Sequence, residues 1–301
     1  MSNIQPSQHH QVSVQENSSD DSANRFLVKF WGVRGLIPTP GEETKAYGGN
    51  TACVEMQVGG KNLIFDGGTG LRMLGKSWLQ QQQQLTAHLF FTNAQTNRIQ
   101  GFPFFAPAFA PQNYLHIYGT AASNGASIKQ SLSDQMLLPH FPYPLQVMQS
   151  QLQFYNLTPD KVVDIDDVTV QMALINHIQK SIGYRITWGE YSVAYITDLQ
   201  SKIDDLDADN IIRLAQGVDL LVANPNYISS NRDSQTPIYP HWEIAVNLAR
   251  KAGVKQLVFS NHHPNDSDDF LDSVQTELKS DFEQAFLAHE GMIISVGCLN
   301  N

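Results

Sequence analysis

Aspartates and histidines, rather than cysteines or serines, are the residues of this chain whose types and spacing bear on chemistry. Asp204, Asp205, Asp207 and Asp209 crowd one short stretch. Carboxylates at that density bind calcium when a loop spaces them as regular ligands. No such spacing is present, and the cluster reads as a helix start, where the macrodipole favours negative charge. His262 and His263 follow a strand pattern in an Asn/Asp-rich loop and read as surface or pocket-rim residues. His88 and His116 fall inside strand patterns and read as structural, while His9 and His10 belong to a polar leading stretch. Asp66 opens a Gly-rich turn, where its side chain is expected to cap backbone amides. Other templates are missing: there is no Walker-type phosphate loop, no Gly-x-Ser-x-Gly elbow and no Cys pair at metal spacing. Cys53 lies in an apolar run and reads as a small core residue.

The elements that must position these residues follow from periodicity and turn chemistry. Apolar runs over 26–31, 51–58, 61–65, 85–91, 114–118, 162–176, 183–188, 191–197, 218–223, 255–260 and 292–296 read as strands. Gly59-Gly60 and Gly189-Glu190 supply hairpin turns between neighbouring runs. Helices are predicted over 70–84, 203–216, 241–252 and 267–289, the third stopped by Gly253 as a left-handed cap. Strand-rich runs precede helices in two successive halves, which predicts two sheets packed face to face with helices outside. Residues 1–24 are polar and read as a disordered tail, because they cannot bury enough surface to offset ordering. Nothing divides the remainder, so 25–301 reads as one domain.

Composition excludes several roles. The chain has 301 residues, 42% hydrophobic and 16% charged, with a net charge of −10. That balance suits a soluble globular protein and opposes non-specific nucleic-acid binding, which rewards clustered Lys and Arg. No apolar stretch has the length of a membrane span, and no secretory signal is read at the start. Only Cys53 and Cys298 are present, so a disulfide framework is not expected and a cytoplasmic location is.

Several stretches resemble the metallo-β-lactamase superfamily, in its phosphodiesterase and tRNA-processing branch. Trp31-Gly-Val-Arg-Gly-Leu-Ile-Pro-Thr-Pro40 with Tyr47-Gly-Gly-Asn-Thr51 is similar to that branch's opening signature. Phe65-Asp-Gly-Gly-Thr-Gly70 resembles its Asp-x-Gly-x-Gly turn, and Ile99 to Phe104 resembles the stretch after its metal motif. Gly183-Tyr-Arg185, Tyr195-Ile-Thr-Asp198 and Trp242-Glu243 extend the likeness to about Gly297. The resemblance implies an αβ/βα four-layer sandwich of two mixed β-sheets flanked by helices. It also implies a two-metal centre, whose ions acidify a bound water into a nucleophile.

At the place of the family's His-x-His-x-Asp-His motif the chain reads Thr92-Asn-Ala-Gln-Thr-Asn-Arg98. The alignment puts Asn93 and Gln95 at the two His positions, Asn97 at the Asp and Arg98 at the last His. An amide oxygen is a weak zinc donor, and a guanidinium is permanently cationic without a lone pair. His177 matches a further ligand, Asp198 the bridging carboxylate and Asn261 the final His; a one-residue slip would put His262 there instead. The resemblance thus implies a vestigial metal site at Asn93, Gln95, Asn97, Arg98, His177, Asp198 and Asn261, holding no metal. Arg98 is expected to replace the missing ion as the partner of Asp198. A ligand pocket is expected at Arg98, His177, Lys180, Asp198, His241, His262 and His263.

The function so implied is a metal-free pseudoenzyme that binds, regulates or scaffolds. Its partner would be a small anionic or phosphate-bearing ligand or another protein, and the chain would be a homodimer without cofactor. The alternative is an active phosphodiesterase-like hydrolase with a rebuilt site holding one zinc or manganese ion. The aromatic stretch from Phe102 to Phe109 reads equally as a partner surface or as core.

Overall fold

The computed structural model describes residues 25–80, 84–200, 203–225 and 242–297. The leading stretch 1–24, His241 and Cys298 lie outside the described residues. Strand β1 (Phe26–Gly32) alternates buried and half-buried side chains, as a strand with one face on a core must. It pairs antiparallel with β2 (Cys53–Val58), which turns through Gly59 and Gly60, both at positive φ, into β3 (Lys61–Phe65). Strands β4 (Thr86–Phe90), β5 (Tyr114–Gly119) and β6 (Gln151–Asn156) then add in parallel. Parallel neighbours need crossovers. Helix α1 (Gly70–Leu79), the short α2 (Thr96–Ile99) and α3 (Ile128–Asp134) lie in those connections.

The second sheet repeats the plan. Strands β7 (Val162–Ile165), β8 (Val168–Asn176), β9 (Ser181–Trp188) and β10 (Tyr191–Ile196) form an antiparallel meander. Parallel strands β11 (Leu220–Ala223), β12 (Gln256–Phe259) and β13 (Ala285–Leu287) follow. Their crossovers are α4 (Asp205–Ala215), α5 (Glu243–Ala252) and α6 (Asp268–Asp281). The last strand, β14 (Ile293–Ser295), returns to the first sheet and pairs with the outer edge of β1. The sheets run β14-β1-β2-β3-β4-β5-β6 and β13-β12-β11-β10-β9-β8-β7.

Three apolar clusters make this the expected four-layer sandwich. Phe30, Phe65, Phe90, Tyr184, Tyr195 and Val258 fill the space between the sheets. Leu71, Leu74 and Trp78 on one face of α1 pack with Phe102 and Phe105 on the outside of the first sheet. Ile211, Val246, Ala249, Leu271 and Leu278 from α4, α5 and α6 cover the second. Cys53 is fully buried in β2. Among the described residues no helix is long and apolar enough to cross a membrane.

Three element expectations change. The single strand over 162–176 is a hairpin, because Asp166 at φ +52° begins a turn between β7 and β8. The helix expected over 267–289 stops at Asp281, and Ala285–Leu287 is pulled into the sheet beside β12. Strand β6 was not expected; its mostly polar, exposed sequence carries little period-two signal, and pairing with β5 defines it. Gly253 does take the left-handed cap, at φ 67°.

Candidate functional site

The carboxyl ends of β3, β4, β10 and β12 meet the β8–β9 turn at one end of the sandwich, the end where open α/β sheets bind ligands. Asp66 follows β3 at φ +61° and is 1% exposed. Its Oδ1 accepts the Thr92 backbone N–H at 2.9 Å, and the Thr92 hydroxyl also donates to it at 2.9 Å. Its Oδ2 accepts the Tyr195 hydroxyl at 3.0 Å and Arg98 Nη1 at 2.7 Å. The expected capping of a backbone amide is therefore present at Thr92, beside a larger role as counter-ion.

Arg98 projects from α2 and is 3% exposed. Its Nη1 donates to the Thr197 hydroxyl at 3.1 Å and its Nη2 to the Thr197 carbonyl at 2.8 Å. With its amide oxygen turned toward the guanidinium, Asn261 accepts from both Nη atoms at 2.9 Å. Burial works against the guanidinium's charge, but Asp66, with smaller help from Tyr195 and Asp198, outweighs it and raises the Arg98 pKa. Burial likewise pushes the Asp66 carboxyl up, opposed by Arg98, Thr92 and Tyr195. A fixed cation and three further donors favour its ionised form against that burial.

The partner expected for Arg98 is thus corrected: its ion pair is with Asp66, not Asp198. Asp198 adds to the field at Arg98 but bonds elsewhere, accepting from the Ser181 hydroxyl and, at 3.0 Å, from Asn93 Nδ2. Asn93 Oδ1 accepts the Gln95 N–H at 2.9 Å, which holds the turn before α2. Gln95 reaches across to Gln179 Oε1 at 3.0 Å.

These residues do not fit the family's two-metal centre. Asn93 turns its amide nitrogen, a donor, toward Asp198. Arg98 offers no lone pair, and it already occupies the space between Asp66, Thr197 and Asn261.

The expected ligand pocket is also corrected. A cleft of about 230 Å³ opens beside the site, lined by Asn93, Gln95, Thr120, Ser123, Gln179 and Lys180 among others. Arg98 is buried beside it with its Nη atoms engaged. His177 Nδ1 faces Asp204 and Asp207, each at 3.1 Å. His262 is fully buried; its Nε2 donates to the Ala288 carbonyl at 2.7 Å, and burial holds its pKa down at about 4. Asn261, at φ +66°, is the residue that faces Arg98, so the slip that would place His262 there does not occur. His263 bonds within its own loop, through Asp266 and Asn265. His88 and His116 stack face to face at 4.7 Å on the strands expected for them. Phe102 and Phe105 are core, whereas Phe104 and Phe109 are exposed.

Sequence reasoning missed Thr197, Tyr195 and Ser181 as partners, and Asp66 as the main counter-charge. One signal was available for Asp66: it ends a strand that adjoins the strand before Arg98, at a Gly-rich turn.

No curated protein matches the chain in sequence. Among solved structures, it is similar to the metallo-beta-lactamase fold protein YhfI from Bacillus subtilis, at 19% identity and a TM-score of 0.64, covering 90% of this chain and 100% of that one. It is also similar to the short form of human tRNase Z, at 16% identity and TM-score 0.62, covering 90% and 100%. A diphosphatase from the PhnP family matches at 15% identity and TM-score 0.62, covering 91% and 99%. At such identities these likenesses show the fold alone. The sequence model of the beta-lactamase superfamily domain matches residues 61–262, more than half of the chain, and the chain belongs to that superfamily.

Proposed function

We propose that this protein is a pseudoenzyme whose inherited catalytic centre holds no metal, and that it binds a small anionic or phosphate-bearing ligand in the adjoining cleft. The observation that carries the reading is Arg98, whose guanidinium is clasped by Asp66, Thr197 and Asn261. A permanent cation there removes the need for an ion to balance Asp66 and leaves no lone pair to hold one. The cleft supports the ligand class. Lys180 brings positive charge, and Asn93, Gln95 and Ser123 bring neutral polar groups. The reading extends to a cytoplasmic homodimer, with exposed Phe104, Leu138 and Tyr143 offering apolar surface to a second copy.

Hydrolysis of a generic phosphodiester with zinc or manganese added tests the central claim. No turnover above background is expected, for the native chain or for Arg98→His, because Asn93, Gln95 and Asn97 still do not hold an ion. Metal-dependent turnover that disappears in Asp198→Ala would instead make the chain a hydrolase. Pyrophosphate titration tests the cleft. Lys180→Ala should weaken binding by about tenfold, or about 1.4 kcal/mol.

A further inference from the structure

Away from Arg98, the β8–β9 turn leans on the start of α4. There His177 Nδ1 lies 3.1 Å from Asp204 Oδ2 and 3.1 Å from Asp207 Oδ2. The three donor atoms fall within 4.8 Å of one another. A first-row divalent ion bonds imidazole nitrogen and carboxylate oxygen at about 2.0–2.2 Å. Tetrahedral or octahedral angles then set neighbouring donors about 2.8–3.6 Å apart. Both contacts from His177 lie in that range.

A second observation points the same way. Asp207 is 6% exposed, and its Oδ1 has no hydrogen-bond partner. A carboxylate oxygen buried without a donor is costly, and a cation bound to the same carboxylate offsets that cost. The two aspartates also divide their work. Asp204 Oδ1 caps α4 by accepting the Asp207 N–H at 2.8 Å, while its Oδ2 faces His177. The helix start alone therefore accounts for one oxygen of Asp204 and leaves the other oriented on the imidazole. The positive end of the α4 dipole opposes a cation, but at about half a unit charge it is outweighed by two carboxylates.

We propose that His177, Asp204 and Asp207 form a mononuclear site for a first-row divalent cation, with water completing the coordination, that fastens the β8–β9 turn to α4. None of Arg98, Asp66 or Asn261 takes part. Gln179 and Lys180, two and three residues beyond His177, line the cleft, so the ion sets the position of one cleft wall. That consequence rests on the binding role proposed above; the ion site itself does not.

The test uses the full chain, stripped with chelator, dialysed and titrated with zinc by calorimetry. One equivalent should bind, and His177→Gln, Asp204→Asn and Asp207→Asn should each weaken it by at least about tenfold. Asn caps a helix as well as Asp does, so loss of zinc in Asp204→Asn is not loss of α4. Asp198→Asn should leave stoichiometry and affinity unchanged. No saturable binding, or equal binding in the three variants, would overturn the site and leave the pseudoenzyme reading intact. Zinc retained by Asp207→Asn but lost in Asp198→Asn would overturn both, by placing the ion at the inherited centre.

Discussion

A carboxylate as deeply buried as Asp66 needs a counter-charge, and the guanidinium 2.7 Å away supplies it. Both side chains are almost wholly shielded, at 4% exposure for Arg98 and 0% for Asp66, so solvent screens the pair little. Arg98→Met should cost about 3–5 kcal/mol, chiefly by leaving Asp66 charged and unpaired. Asp66→Asn added to it should recover part of that loss. A denaturant double-mutant cycle measures the coupling, which should exceed that between Arg98→Met and Asp198→Asn. Additivity for the first pair would show that the charge at Arg98 is not what Asp66 needs. The sequence puts a cation where the family resemblance implies a metal ligand; its partner was not legible. Asp66 and Asp198 follow strands in different sheets, and only the packing of β3 against β10 decides which carboxylate the guanidinium reaches.

At the level of elements, α2 is fixed by backbone contacts to the turn after Asp66. Gly67 N–H donates to the Arg98 carbonyl at 2.6 Å, and Gly101 N–H donates to the Gly67 carbonyl at 2.9 Å. A Cβ on Gly101 would meet the Gly68 carbonyl oxygen at 1.9 Å, and backbone does not yield as a side-chain tip does. Gly101→Ala should therefore destabilise toward the upper end of about 1–3 kcal/mol, read as a lower denaturant midpoint at unchanged slope. A neutral result would mean that this turn is not tightly held. The same elements show which signals survive in sequence. Hairpins at Gly59-Gly60 and Gly189-Glu190, the amphipathic helices and the central strands were legible, because glycine geometry and apolar period are local properties. Strand β6 and the short β13 were not. Each exists because a neighbouring strand offers it a hydrogen-bonding edge, which a linear pattern does not carry.

For the whole molecule, a buried neutral histidine makes stability depend on acid. His262 has its pKa lowered from 6.5 to about 4, while in the unfolded chain it titrates at the ordinary value. The unfolded state thus binds the extra proton between those values, and stability falls as pH drops through that window. The loss from this residue reaches about 3 kcal/mol by pH 4 and is absent above pH 6.5. His262→Gln, whose amide keeps a donor for the Ala288 carbonyl, should flatten the profile of unfolding free energy over that range. An unchanged profile would assign the acid sensitivity to other groups.

The return of β14 to β1 has a consequence for how the protein is made. Leu27, Val28 and Lys29 take their partners from Ser295, Ile294 and Ile293, at the far end of the described chain. During synthesis this border of the first sheet therefore stays open until residues 293–295 have left the ribosome. An open border recruits other strands, and two nascent copies on one message present the same one to each other. The charge of half-buried Lys29 on that strand matters most in this interval, when it repels a second identical border before the correct one has been translated.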